Sequence, residues 1–76
     1  EGPAADKKGN IYFPDQPNNS IWIYDTKGQL RLFTDSAGRA NGLYFDADGN
    51  LLACADEKNQ LWRFDKEGKV TILFND

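Results

Sequence analysis

Histidine and methionine are absent from this sequence, and cysteine occurs once, at Cys54. Without histidine, neither a Ser–His nor a Cys–His nucleophilic system can be assembled within the chain. With a single thiol, no internal disulfide can form. There is no CxxC pair, no H-E-x-x-H signature and no phosphate-cradling glycine loop. No apolar run approaches the roughly 20 residues of a membrane-spanning helix, so a membrane is not expected as a partner. No basic-then-apolar signal segment leads the residues given, and the compartment stays open. Positive charge is also scarce: nine Lys and Arg against twelve Asp and Glu give a net charge of −3. The basic residues are scattered among acids and form no stripe, which argues against nucleic acid as a partner. No stretch carries a helical period bounded by caps.

What is present is apolar surface in need of burial. Of the 76 residues 39% are apolar and 28% charged, with ten aromatic rings, which describes a globular chain rather than a disordered one. That length is near the limit at which one core suffices without disulfides or metals. The sequence also repeats itself. At an offset of 40 residues the two halves align without a gap, with identities that include Gly2/Gly42, Asp6/Asp46, Gly9/Gly49, Asn10/Asn50, Asn19/Asn59 and Trp22/Trp62. Apolar residues keep the same phase between them, as in Ile21/Leu61, Tyr24/Phe64 and Leu32/Ile72. A second rhythm runs inside each unit: "DKKG" at 6–9, "DTKG" at 25–28, "DADG" at 46–49 and "DKEG" at 65–68. An Asp that accepts backbone N–H bonds, followed three residues later by a Gly that tolerates positive φ, suits a tight strand-to-strand turn.

Short β-rich runs lie between these turns, among them "SIWIYD", "QLRLFT", "NLLACA" and "KVTILF". Four strands per unit, with a repeat of about 40 residues, predict an all-β fold of β-propeller blades, residues 1–40 forming one four-stranded antiparallel blade and 41–76 the next. In a propeller the first strand of each blade lines the central channel, which places "EGPAAD" and "NGLYFD" innermost. Two blades leave large apolar faces without neighbours, and repeat folds need neighbours to bury them. The expectation is a fragment of a longer propeller; the alternative is that copies of the chain complete a ring, as three copies of two blades would make six.

"EGP" followed by "GNIYFPD", together with "RANGL" and the closing "WRFDKEG", resembles the amino-terminal two blades of the SMP-30/gluconolactonase family. "EGP" and "RANGL" are the specific parts; turns such as "DKEG" occur in many propellers. The resemblance implies a six-bladed propeller that binds a divalent metal in its channel and hydrolyses sugar lactones. It implies that Glu1, in the opening E-[GS]-P motif, is a metal ligand, with the other ligands and the general base supplied by later blades. Calcium is the metal first expected, with magnesium, manganese or zinc as alternatives; all suit oxygen ligands to differing degrees. In such an enzyme the metal polarises the lactone carbonyl while a carboxylate takes a proton from the attacking water. This chain would hold no catalytic residue of its own and would be inactive in isolation. The competing readings are a propeller scaffold that binds without catalysis, and a self-assembling blade repeat.

Taken on its own, Glu1 also reads as a solvated acid. Asn41, its mate one repeat on, belongs at the channel end of an inner strand and is a candidate for binding substrate hydroxyls, against a turn-stabilising role. Arg39 is a second candidate for substrate binding, against the ordinary solvated surface arginine. "DADGN" at 46–50 is not an EF-hand loop, because Tyr44 stands where that spacing needs an acid. "NNS" at 18–20 fits the glycosylation acceptor pattern. Asp15 reads as a turn cap, Trp22 and Trp62 as packing between blades, and Cys54 as a small buried hydrophobe.

Overall fold

The four Asp-x-x-Gly segments each close a hairpin of the same construction. In the computed structural model, which describes residues 2–55 and 59–75, each Asp Oδ1 accepts two backbone N–H bonds. For Asp6 the donors are Lys8 and Asn10, both at 2.9 Å; for Asp25 they are Lys27 and Gln29. Asp46 and Asp65 repeat the arrangement with Asp48 and Asn50, and with Glu67 and Lys69. The glycine closes each turn from the left-handed region, as at Gly9 (φ 95°) and Gly49 (φ 86°). This is the three-residue hairpin built from a type I turn and a glycine bulge.

These turns join eight strands: β1 Ala4–Ala5, β2 Ile11–Asp15, β3 Ser20–Tyr24, β4 Leu30–Thr34, β5 Ala40–Phe45, β6 Leu51–Ala55, β7 Gln60–Phe64 and β8 Val70–Asn75. They form two four-stranded antiparallel sheets, each with its strands in sequence order. The irregularity in register between Ile21 and Trp22 recurs between Leu61 and Trp62, at the equivalent place in the second sheet. The repeat therefore extends from residue type to backbone detail. A short 3-10 turn, Gln16–Asn18, links β2 to β3. No helix among the described residues is long and apolar enough to cross a membrane.

The core lies between the sheets. Tyr12, Ile21 and Phe33 from one face of the first sheet meet Leu43, Leu51, Ala53 and Phe64 from the facing side of the second. The rings meet edge to face, Tyr12 with Phe45 at 5.0 Å and Phe33 with Phe64 at 5.8 Å between centroids. Phe64, Ile21 and Leu51 are almost fully buried, and each such side chain contributes about 1.5–3 kcal/mol relative to exposure.

Strand alternation leaves the opposite faces uncovered. Ile11, Tyr24, Leu30 and Leu32 are exposed on the first sheet, with Leu30 at 58%. Tyr44, at 48%, and Leu73 are exposed on the far side of the second. The same alternation corrects the expectation for Cys54. Leu51, Ala53 and Ala55 point into the core, so Cys54 points to the uncovered face and is exposed.

Candidate functional site

The first strands of the two sheets lie side by side at one end of the molecule. Gly2 and Gly42 form a parallel bridge, and the Gly2 N–H donates to the Asn41 carbonyl at 3.1 Å. The segment leading into β5 comes to the same end, opposite the Asp-x-x-Gly turns. Asn41 thus stands at the start of an inner strand, as the repeat predicts. It is half-buried, and its side-chain amide has no hydrogen-bond partner among the described residues.

Two residues earlier, Arg39 adopts a left-handed conformation (φ 56°) directly after Gly38 (φ 62°). Arginine has no intrinsic preference for that region, so its surroundings must hold it there. Asn19 and Gln16 do so. The Arg39 N–H donates to Asn19 Oδ1 at 2.8 Å, and the Arg39 carbonyl accepts a bond from Gln16 Nε2 at 3.0 Å. Asn19, itself left-handed (φ 56°), also accepts the Ala37 N–H at its carbonyl. The Arg39 backbone is fixed while its guanidinium is exposed and has no partner among the described residues.

Gly38 is buried against the second sheet. A Cβ there would lie 2.8 Å from Trp62 Cη2 and 2.9 Å from the Ala55 Cβ, so the inter-sheet connection packs directly on the indole. The Trp62 N–H donates to Gln60 Oε1 at 2.7 Å. Trp62 therefore serves the join between sheets, in keeping with its repeated position. Asp15 stands at the N-cap of the 3-10 turn, but its side chain makes no capping bond to the backbone; its Oδ2 instead accepts the Asn18 side-chain amide at 2.9 Å.

Arg39 and Asn41 are thus brought to one end by a connection hydrogen-bonded to Gln16 and Asn19 and packed on Trp62. The metal ligand expected at Glu1 lies outside the described residues. Among the described residues no group of three or more His, Cys, Asp or Glu side chains is placed to hold a metal. Gln16 and Asn19 escaped attention in the sequence as determinants of this end. The signal was the Asn19/Asn59 identity, since Asn is a residue that tolerates the left-handed region, and Asn59 adopts it too (φ 51°).

Two stacked four-stranded antiparallel sheets, alike in register and turn chemistry, with first strands side by side, are blades of a β-propeller. The pair is similar to the solved structure of selenomethionine-substituted virginiamycin B lyase from Staphylococcus aureus, with a TM-score of 0.75 and 18% identity over 93% of this chain. The chain spans 26% of the length of that protein. At this identity the likeness carries the fold and not the activity. No protein-family model and no curated protein sequence matches the chain.

Proposed function

We propose that these two blades belong to a closed propeller that hydrolyses sugar lactones with a divalent metal, calcium first among the candidates, and that the end bearing Arg39 and Asn41 forms part of its substrate pocket. One observation supports the reading above the others. At the opening position of the repeat the sequence changes chemical kind, Glu1 against Asn41, while Gly2/Gly42, Asp6/Asp46, Gly9/Gly49 and Asn10/Asn50 are kept. The kept Asp6/Asp46, Gly9/Gly49 and Asn10/Asn50 build turns; a residue that differs at the inner end is free to serve a site.

Within that reading Asn41 contributes a half-buried amide able to donate to and accept from sugar hydroxyls. Arg39 contributes a cation on a fixed backbone, suited to a lactone carbonyl or carboxylate product. The metal and the proton-accepting carboxylate are matters for the complete ring, and Glu1 is the proposed contribution of this chain to the metal. The uncovered apolar faces, Ile11, Tyr24, Leu30 and Leu32 on one side and Tyr44 and Leu73 on the other, are where further blades would dock. Those blades come from a longer chain or from copies of this one.

The test is lactone hydrolysis by the closed ring and by the isolated chain. The ring is expected to turn over a sugar lactone and to lose activity with a chelator; the isolated chain is expected to be inactive. In the ring, Asn41→Ala should lower kcat/KM about tenfold, the worth of one hydrogen bond at a site. A closed ring without metal-dependent turnover would turn the conclusion to the scaffold reading, and measurable turnover by the 76-residue chain would overturn the shared-site account.

A further inference from the structure

The turn end of the blade pair, opposite Arg39 and Asn41, contains a cleft of about 420 Å³. That volume falls in the range of small-molecule sites. Tyr12 and Phe45, edge to face at 5.0 Å, supply its aromatic wall, and Lys7, Lys8, Arg31 and Lys66 line it. The acids on its lining are Asp6 and Asp48. Four positive groups against two negative ones make a cationic concavity in a chain whose net charge is −3.

The charges inside the cleft are not spent on one another. None of the four cations forms an ion pair or side-chain hydrogen bond among the described residues. Asp6 is committed to its own turn: Oδ1 accepts Lys8 and Asn10 N–H bonds, and Oδ2 accepts the Asn10 amide at 3.0 Å. The Tyr12 phenol is held above its ordinary value by burial and then by the Asp6 carboxylate, with Arg31 acting in the opposite direction. Tyr12 therefore senses both an acid and a guanidinium of the cleft.

The repeat shows that the fold does not require these cations. Lys7, Lys8 and Arg31 correspond to Ala47, Asp48 and Thr71 in the second blade, and Lys66 corresponds to Thr26 in the first. The turns close identically with or without them. At each of the four positions one blade carries a cation and the other does not, and all four cations converge on the same cleft.

We propose that this cleft binds a small phosphate monoester, its dianionic head among Lys7, Lys8, Arg31 and Lys66 and its apolar substituent against Tyr12 and Phe45. The site is separate from the lactone end and does not depend on that reading. The ammonium groups act as point charges and Arg31 as a planar fork for phosphate oxygens. Because the cleft is open to solvent, binding weakens as salt rises.

The test is titration of the ¹⁵N-labelled 76-residue chain with phenyl phosphate and with inorganic phosphate, at constant ionic strength, followed by amide shifts. Saturable shifts are expected at Lys7, Lys8, Arg31 and Lys66, with a Kd of about 1 mM or tighter, and not at Lys27, an exposed turn lysine outside the cleft. Phenyl phosphate should bind at least about threefold tighter than inorganic phosphate, since only it reaches the rings. Lys7→Gln and Lys66→Gln should each weaken binding about threefold or more, and Lys27→Gln should not. Shifts that fail to saturate, that appear equally at Lys27, or that survive both cleft substitutions would overturn the proposal, as would equal affinity for the two phosphates.

Discussion

Replacing Gly38 with Ala should be among the costlier single-methyl changes available in this chain. Two effects add. Alanine in the left-handed conformation that Gly38 adopts (φ 62°) costs about 1–2 kcal/mol. The new Cβ would also lie at 2.8 and 2.9 Å from Trp62 ring carbons and at 2.9 Å from the Ala55 Cβ. Relieving such overpacking costs about 1–3 kcal/mol. The sum, about 2–5 kcal/mol, compares with about 4–11 kcal/mol for the whole stability of a domain of this length. Urea unfolding monitored by far-ultraviolet circular dichroism reads the loss as a lower midpoint at unchanged slope. The two effects separate in a double-mutant cycle with Trp62→Leu, which removes the ring carbons that the methyl meets. In that background Gly38→Ala should cost only the backbone share plus the Ala55 contact, about 1–3 kcal/mol, giving a coupling of about 1–2 kcal/mol. A loss below about 1 kcal/mol in the native background, or no coupling to Trp62, would refute the packing assigned to this connection.

Asn19 should tolerate Gly better than Ala. Both substitutions lose the acceptor of the Arg39 N–H, worth about 1 kcal/mol, but only Ala adds strain at φ 56°. Thermal melts should therefore order native above Asn19→Gly above Asn19→Ala; equal melting of the two variants would contradict the left-handed requirement. Acid should expose the role of the inner turns. Partial burial raises the Asp6 carboxyl, but bonds from the Asn10 side chain and from the Asn10 and Lys8 N–H groups outweigh it, and the net value lies below 3.8. At Asp46 the Asn50 N–H bond leads the lowering, also from 3.8. Carboxyls depressed in the folded state stabilise it above their unfolded value, and that stabilisation is lost as pH falls through the folded value. Urea midpoints should therefore decline as pH drops below about 4, and Asp6→Asn with Asp46→Asn should flatten the decline. An unchanged acid profile in the double variant would remove these turns from the account.

The parts of this fold that the sequence displays are the parts decided locally. Asp6, Asp25, Asp46 and Asp65 make their turns with residues two and four places on, so a tetrapeptide carries the whole instruction. The repeat of 40 residues then supplies the blade, and the inner-strand start of Asn41 follows from its repeat mate. What the sequence hides depends on which face of each sheet meets which. "NLLACA" is apolar on both faces, and nothing in it tells Cys54, exposed, from Ala53, buried. The hold on Arg39 is likewise invisible, because Gln16 and Asn19 reach it only after the β2–β3 connection folds over the inter-blade segment. The cationic cleft joins Lys7 and Lys66, which no local pattern relates, and it exists only once the sheets have stacked.

The central claim is that these blades contribute to a metal-dependent site at the meeting of their inner strands. Its most direct test is anomalous diffraction from the closed ring grown with manganese, whether longer chains or copies of this one complete it. The account predicts a metal peak bonded to the Glu1 carboxylate, at roughly the 2–2.6 Å of metal–oxygen contacts, with Asn41 lining the same cavity. A closed ring with no metal peak at that carboxylate, or with the metal bound at another end of the propeller, would contradict it.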